Sequence, residues 1–95
     1  DRPKNTHHPK WPEMIFPIDY GYLEGTSSMD GGGIDLWSGT APHRDLTAIM
    51  CTIDIKKKDS EIKLIIGCTE AEIGIIEAFH NRYYQSGILI RRPAD

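Results

Sequence analysis

Apolar and polar residues alternate along several short stretches of the chain, a period that is typical of β-strands with one buried face. The alternation predicts strands over residues 18–23, 34–37 and 87–92. Two longer stretches, residues 47–56 and 61–68, predict the arms of a β-hairpin. We therefore expect a mainly β chain with five or so short strands.

The hairpin has a predicted register. A two-residue turn at Asp59 and Ser60 would set it. The pairs on the core face would then be Cys51 with Cys68, Ile53 with Ile66, and Ile55 with Leu64. The opposite face would carry Asp54, Lys56, Lys58, Glu61 and Lys63. This register places Lys56 across from Lys63, which is unfavourable without an anion between them. A longer turn would shift the register, so the pairing stays open.

A helix is predicted over residues 69–85. Thr69 and Glu72 have the spacing of a capping box, in which each side chain bonds the other's backbone N–H. Apolar residues follow at helical spacing, namely Ile73, Ile76, Phe79 and Tyr83. The strand count and this helix together predict a small five-stranded barrel with one helix packed against it. By contrast, the prolines at positions 3, 9, 12 and 17 predict that residues 1–17 form an extended, proline-rich arm at the surface.

Length, charge and cysteine content narrow the class of protein. A chain of 95 residues is one domain's worth. Its net charge of −3 argues against a general nucleic-acid binder. No apolar run approaches the roughly 18 residues needed to cross a bilayer, so no membrane partner is expected. Two cysteines without a secretory leader predict a cytoplasmic location.

The strongest chemical signal is the glycine loop between Asp30 and Asp35. Residues 31–33 are all glycine, so two carboxylates flank a loop at the entry to a strand. Magnesium prefers carboxylate oxygens as ligands, and glycines let a phosphate approach the backbone closely. The alternative is a flexible turn, in which Asp30 is solvated and Asp35 caps the next element.

The residues around this loop resemble the family I (soluble) inorganic pyrophosphatases. Residues 15–26, IFPIDYGYLEGT, are similar to that family's Y-P-x-x-Y-G-F/Y-I/V-x-x-T segment. Asp30-Gly31 followed by Ile34-Asp35 is similar to its D-G-D-P-L/I/V-D motif, and residues 61–64, EIKL, are similar to its D-x-K-L/I/V stretch. The match covers most of residues 15–92 and indicates a short, divergent branch. It implies an OB-like five-stranded barrel and hydrolysis of pyrophosphate or a related phosphoanhydride to phosphate.

The resemblance also implies roles for single residues. Mg²⁺ would be the cofactor, bound by Asp30, Asp35 and Glu61, and would activate a water and hold pyrophosphate. Lys63 would hold a phosphate oxygen, and Tyr20 would hydrogen-bond a phosphate or its attendant water. The implied catalytic residues are Tyr20, Asp30 and Asp35. The implied substrate-binding residues are Tyr20, Lys63, Arg82 and Tyr83.

The sequence departs from the family at several of these positions. Gly32 stands where the family has the aspartate that takes a proton from the attacking water, and losing a general base typically costs about 10²–10⁴ in rate. Lys56 stands where it has another aspartate, which Asp54 could replace only if the hairpin register shifts. The family's Lys-x-Glu strand is expected before Asp1. Two functions therefore stand, a magnesium-dependent hydrolase and a catalytically impaired module that binds a phosphorylated ligand or a protein partner.

Three further features each allow two interpretations. Cys51 and Cys68 are either a redox pair or two small buried hydrophobic residues. The lysine run at residues 56–58 is either a solvated hairpin tip or a site of phosphate attraction. The aromatic residues of the proline-rich arm either remain at the surface or are buried against a second copy, which would make a homo-oligomer.

Overall fold

The structure is a computed structural model that describes residues 2–9, 14–28, 31–82 and 85–93. One sheet contains the strands β1 (Asp19–Leu23), β2 (Ile34–Ser38), β3 (Leu46–Asp54), β4 (Asp59–Ile66) and β5 (Gln85–Arg91). The helix α1 (Glu70–Phe79) lies between β4 and β5 in the chain. The strand order is β1-β2-β4-β3-β5; β2 and β4 run parallel, and the other neighbours run antiparallel. The predicted mainly β fold with one helix is confirmed.

Closure of the sheet into a barrel is not confirmed. β1 and β5 lie at opposite ends of the strand order, and within the described ranges no pairing joins them. The described strands thus form an open sheet with one covered face. Among the same residues, no helix is long and apolar enough to cross a membrane.

The core lies between the sheet and α1. The helix buries Ile73, Ile76 and Phe79, which recur at helical spacing and so share one face. The sheet contributes Trp37, Met50 and Ile65, each with no exposed surface. Burial stabilises the fold by roughly 1.5–3 kcal/mol for each large apolar side chain. The helix therefore covers the face of the sheet that carries these three residues.

The proline-rich arm places two side chains in this core, so the prediction of a surface segment is correct for its other described residues and wrong for Met14 and Phe16. Its chain folds back on itself, because the His8 N–H donates to the Met14 carbonyl and the Phe16 N–H donates to the Thr6 carbonyl. Met14 and Phe16 are buried in the core cluster. The described part of the arm contains no helix, but Met14 and Phe16 lie against this chain's own sheet.

The predicted hairpin register is also wrong. Residues 55–58 form the turn, where Lys58 adopts a positive φ of 58° and its N–H donates to the Asp54 carbonyl at 2.8 Å. Asp59 therefore begins β4 and pairs with Asp54, while Lys63 pairs with Met50. The longer turn shifts every residue pair of the hairpin relative to the predicted register.

The face assigned to the core is the open one, except that Cys68, which follows the end of β4, is buried in the core. Cys51 pairs with Ile62 rather than Cys68, and both cysteines are free thiols. Ile53 is 59% exposed, whereas Met50 on the opposite face is fully buried. The reason is that α1 and the arm cover the face of Met50 and Ile65, leaving the isoleucine-rich face without a layer. The side chains of Asp54, Glu61 and Lys63 therefore point to the covered side.

The helix begins as predicted and ends early. Thr69 and Glu72 form the capping box, with the Thr69 hydroxyl accepting from the Glu72 N–H and the Glu72 carboxylate accepting from the Thr69 N–H. The chain turns after Phe79 because the Asn81 side-chain amide donates to the Glu77 carbonyl, and its oxygen accepts from the Gly87 N–H. The predicted helix over residues 69–85 is thus too long, and β5 begins at Gln85.

Candidate functional site

A cavity of about 360 Å³ lies between the covered face of the sheet, the arm and the turn at residues 55–58. Its floor is apolar and includes Met14, Phe16, Trp37 and Phe79. Its polar wall is formed by Tyr20, Asp35, Glu61 and Lys63, and further charged residues at its rim are Arg2, Asp54, Lys56, Lys57 and Asp59. Ligand cavities of roughly 300–1,000 Å³ are usual for small molecules, so this one is large enough to be a binding site.

The polar wall comes from three neighbouring strands. Tyr20 of β1 pairs with Trp37 of β2, and Leu36 of β2 pairs with Leu64 of β4. Because side chains alternate between the two faces of a strand, Asp35 shares the face of Trp37. By the same alternation, Glu61 and Lys63 share the face of the buried Ile65. The parallel register of β2 and β4 therefore brings Asp35 next to Lys63.

Lys63 links the two carboxylates of this wall. Its Nζ donates to Asp35 Oδ2 at 2.8 Å and to Glu61 Oε1 at 2.6 Å. The Lys63 side chain is 10% exposed, and those of Asp35 and Glu61 are 29% and 19% exposed. Partly buried, hydrogen-bonded ion pairs of this kind are much less screened than surface pairs. The three groups form a cluster with one net negative charge.

The ionisation of this cluster follows from its contacts. Burial acts to raise the pKa of Asp35, but its hydrogen bond with Lys63 and the charge of Lys63 prevail and hold that pKa below its usual range. Burial alone would lower the pKa of Lys63, yet Tyr20 and the two carboxylates raise it on balance. Burial dominates at Tyr20 and raises the pKa of its hydroxyl. At neutral pH the wall thus presents an ammonium, carboxylates and a protonated phenol.

Aromatic packing fixes the position of Tyr20. Its ring lies 4.7 Å from the Trp37 ring and 5.2 Å from the Phe16 ring, measured between centroids. The Lys63 ammonium lies 5.5 Å from the centroid of the same ring, within the range of a cation–π contact. The Tyr20 hydroxyl is therefore presented to the cavity by a rigid ring.

His80 lies next to this wall, and its imidazole is neutral. The Trp37 indole N–H donates to His80 Nε2 at 2.9 Å. An indole nitrogen only donates, so the imidazole proton lies on Nδ1, which donates to Gln85 Oε1 at 2.7 Å. Burial is the main cause that lowers the pKa of His80 to about 4. His80 is thus a satisfied structural histidine beneath the site.

Arg2 joins the site through the arm. Its backbone N–H and carbonyl both bond to Tyr20, at 2.7 and 2.9 Å. Its guanidinium lies 5.6 Å from the centroid of the Phe16 ring. No local sequence pattern predicts a role for Arg2, because Arg2 reaches the cavity only through the backbone pairing of the arm with β1. A prediction of Arg2 would have required that pairing to be known.

Asp54 reaches the cavity from the end of β3, on the covered side of the sheet, and its Oδ1 accepts from the Lys57 N–H at 3.0 Å. The hairpin register does shift, but Asp54 pairs with Asp59 and Lys63 pairs with Met50, so Asp54 does not take the position across from Lys63 that was predicted for Lys56. Lys56 and Lys57 also line the cavity, which brings two members of the lysine run to the site.

Four of the implied site residues come together, one lies elsewhere, and two fall outside the described residues. Tyr20, Asp35, Glu61 and Lys63 line one cavity. Arg82 lies in the exposed turn after α1 and does not belong to the described lining. The predictions for Asp30 and Tyr83 lie outside the described residues.

The described residues do not fit a resident magnesium site as they stand. Asp35 and Glu61 have the oxygen donors that magnesium prefers, but one oxygen of each already accepts from the Lys63 ammonium. Within the described ranges, no group of three or more His, Cys, Asp or Glu side chains is arranged to hold a metal ion. The described part of the site is centred on an ammonium.

Comparisons with protein families, with curated proteins and with solved structures gave no match for this chain.

Proposed function

We propose that the protein is a pyrophosphatase-like hydrolase, which takes pyrophosphate or a related phosphoanhydride into the cavity as its magnesium complex and releases phosphate. The observation that carries the proposal is the convergence of Tyr20, Asp35, Glu61 and Lys63 on one cavity. These residues come from three separate strands, and the resemblance implies a role for each of them.

The charge of the cavity suits a metal-complexed anion better than a bare one. The described lining carries four basic residues, Arg2, Lys56, Lys57 and Lys63, and four acidic residues, Asp35, Asp54, Asp59 and Glu61. Such a balance would not attract a highly charged bare diphosphate strongly. In a magnesium–diphosphate complex, the phosphate oxygens would interact favourably with the basic residues and the cation with the acidic residues.

Each residue of the polar wall has a role in this proposal. Lys63 would bond a phosphate oxygen and offset the negative charge that develops as the phosphorus–oxygen bond breaks. The Tyr20 hydroxyl would donate to a phosphate oxygen or hold the water that replaces the leaving group. Asp35 and Glu61 would keep the Lys63 ammonium charged and aimed into the cavity. Hydrolysis consumes one water and yields two phosphates from pyrophosphate.

Phosphate release from pyrophosphate in the presence of magnesium tests the proposal. We expect turnover by the native protein and a loss of about a hundredfold or more in Asp35→Ala, because Lys63 loses its partner in the wall. Asp45→Ala is the matched control, since Asp45 is an exposed carboxylate outside the lining. Turnover at background level in the native protein, equal to that of Asp35→Ala, would eliminate the hydrolase.

A second candidate is a catalytically impaired module that binds a phosphorylated ligand or a protein partner. Gly32 favours it, because glycine cannot accept a proton where the pyrophosphatases have an aspartate. This candidate predicts that pyrophosphate binds without turnover and that Gly32→Asp gains activity. If native turnover is high and Gly32→Asp adds nothing, the module is excluded.

A cytoplasmic location and a role in phosphate metabolism belong to the same proposal. Both cysteines are free thiols, which suits a reducing compartment. A homo-oligomer remains a prediction. Phe16 of the arm is buried within this chain rather than against a second copy, so it does not support that prediction.

A further inference from the structure

The open face of the sheet carries a continuous apolar patch. Residues paired directly across antiparallel strands share a face, so two rows of side chains run across β4, β3 and β5 on this side. The six residues of these rows form what we call the isoleucine patch, namely Ile62, Cys51, Ile88, Leu64, Ile49 and Ile90. None of the six is charged, and Ile62, Ile88 and Ile90 are each at least half exposed.

The strands that carry this patch have the composition of strands buried on both faces. A strand with one solvated face normally alternates apolar with polar residues. Here β3 contains the run Ile49-Met50-Cys51 and β4 the run Leu64-Ile65-Ile66, so both faces of these strands are apolar. Met50 and Ile65 fill the side that α1 and the arm cover. The isoleucine patch is the other side, and the described residues supply no layer for it.

The size of the apolar surface is that of an interaction site. Ile53, Leu36 and Ile66 lie beside the patch on the same face. Strands lie about 4.8 Å apart and same-face residues about 6.7 Å apart, so this surface covers on the order of 300 Å² in projection. The accessible area of protruding side chains exceeds the projection, and contiguous apolar patches of this size on soluble proteins mark interaction sites.

A second copy of this chain suits the patch. Two identical uncharged faces can be buried together without leaving a charge unpaired, and closed two-fold pairs are the commonest protein assemblies. Two sheets pack face to face about 10 Å apart, with their side chains interdigitating between them. A strongly charged partner, by contrast, would find no charge of opposite sign within the six residues of the patch.

We infer that two copies of the chain pack their isoleucine patches against each other and form a homodimeric β-sandwich. The two-fold axis runs across the strands, because an axis along the strands would bring together the lysine-rich turns at residues 56–58 of both copies. The cavity lies on the other side of the sheet and stays open in the dimer. The inference therefore does not depend on the proposed function.

The extent of the interface sets the expected strength of the dimer. Two such surfaces give an interface at the small end of specific complexes, which begin at about 1,200 Å² of total buried area. Interfaces of this size associate reversibly, so we expect a Kd in the micromolar range. Dilute samples should then contain the monomer and concentrated samples the dimer.

Sedimentation velocity over a dilution series tests the inference. The native protein should pass from the mass of one chain to that of two as its concentration rises through the micromolar range. Ile88→Lys places a charge in the patch at a residue that is 70% exposed, so it should remain monomeric throughout. The matched control is Ile75→Lys, which places the same charge on an exposed isoleucine of α1 outside the patch and should dimerise like the native protein.

The thiol of Cys51 gives a second measurement that needs no variant. Cys51 is a partly exposed free cysteine in the middle of the patch, between Ile62 and Ile88. With reagent in excess, its alkylation should slow several-fold as the native protein passes from monomer to dimer. Cys68 is buried in the monomer and should react slowly at every concentration. In Ile88→Lys the Cys51 rate should not depend on concentration.

A native protein with the mass of one chain at every concentration would overturn the inference. So would a dimer of unchanged strength in Ile88→Lys, or an equal loss of the dimer in Ile75→Lys, since either result would place the contact elsewhere. If circular dichroism shows that Ile88→Lys does not fold, the Cys51 rate of the native protein decides. A rate that stays constant while the mass doubles would exclude the patch from the interface.

Discussion

His80 should make the stability of the fold fall steeply in mild acid. The imidazole is 2% exposed, accepts from Trp37 and donates to Gln85, and its pKa is lowered to about 4. In the unfolded chain a histidine takes up a proton near pH 6.5. Between about pH 6.5 and 4 the unfolded state thus binds more protons than the folded state, and the free energy of unfolding decreases as the pH falls.

The size of this effect follows from the two pKa values. A change from 6.5 to about 4 corresponds to roughly 3 kcal/mol, which is fully present above pH 6.5 and is lost as the pH falls to 4. A small domain has a total stability of only about 5–15 kcal/mol. The loss should therefore be visible as a lower midpoint of unfolding well before the carboxylates are protonated.

Urea unfolding followed by far-ultraviolet circular dichroism, repeated from pH 7.5 to 4.5, measures this directly. His80→Gln cannot become charged, so we expect the stability difference between it and the native protein to shrink by about 2–3 kcal/mol over this range. His43→Gln removes a partly exposed histidine and keeps His80, so it should follow the native curve. A native–His80→Gln difference that stays constant with pH would refute the reasoning.

Three other substitutions or reactions test particular contacts. Met50→Ala should lower the free energy of unfolding in urea by about 2–5 kcal/mol, and Ile53→Ala by less than about 1 kcal/mol, because Met50 is fully buried and Ile53 is 59% exposed. A larger loss in Ile53→Ala than in Met50→Ala would instead support the core face predicted from the sequence. Thr69→Ala should cost about 0.5–2 kcal/mol by the same assay through loss of the helix cap, and no loss would show that the capping box is not stabilising. Burial raises the pKa of the Cys68 thiol to about 11, so alkylation at pH 8, followed by mass spectrometry, should be slow at Cys68 until the chain unfolds.

Local patterns were enough to predict the elements of the fold. Alternation located all five strands within a few residues of their observed bounds, since side chains alternate between the two faces of a strand. The capping box placed the start of α1 because its two hydrogen bonds involve residues three apart. The end of α1 was missed, since it depends on Asn81 bonding to Gly87 across a turn.

The covered face of the sheet could not be predicted in the same way. Counting apolar residues favoured the face of Ile53, which has the more hydrophobic strand residues. The arm and α1 instead cover the face of Met50, and that choice depends on Phe16 contacting Trp37 and Phe79, residues far apart in the sequence. Long-range packing therefore decided what alternation left undetermined.

The residues of the candidate site could be predicted from the sequence, but their arrangement could not. Resemblance supplied Tyr20, Asp35, Glu61 and Lys63, and these residues do line one cavity. The hairpin prediction placed Lys63 on the outer face, whereas Lys63 lies inward because α1 and the arm cover the face that it shares with Met50. The bond of Lys63 to Asp35 follows from the parallel pairing of β2 and β4, for which no local pattern exists, whereas Glu61 shares the strand and the face of Lys63.

A crystal structure with magnesium and methylenediphosphonate tests the central claim most directly. The account predicts that the diphosphonate occupies the cavity with one oxygen within hydrogen-bond distance of Lys63 Nζ and another near the Tyr20 hydroxyl. It also predicts that Lys63 keeps its contacts to Asp35 and Glu61, now 2.8 and 2.6 Å, while it also donates to the phosphonate oxygen. A diphosphonate bound elsewhere on the protein would contradict the account.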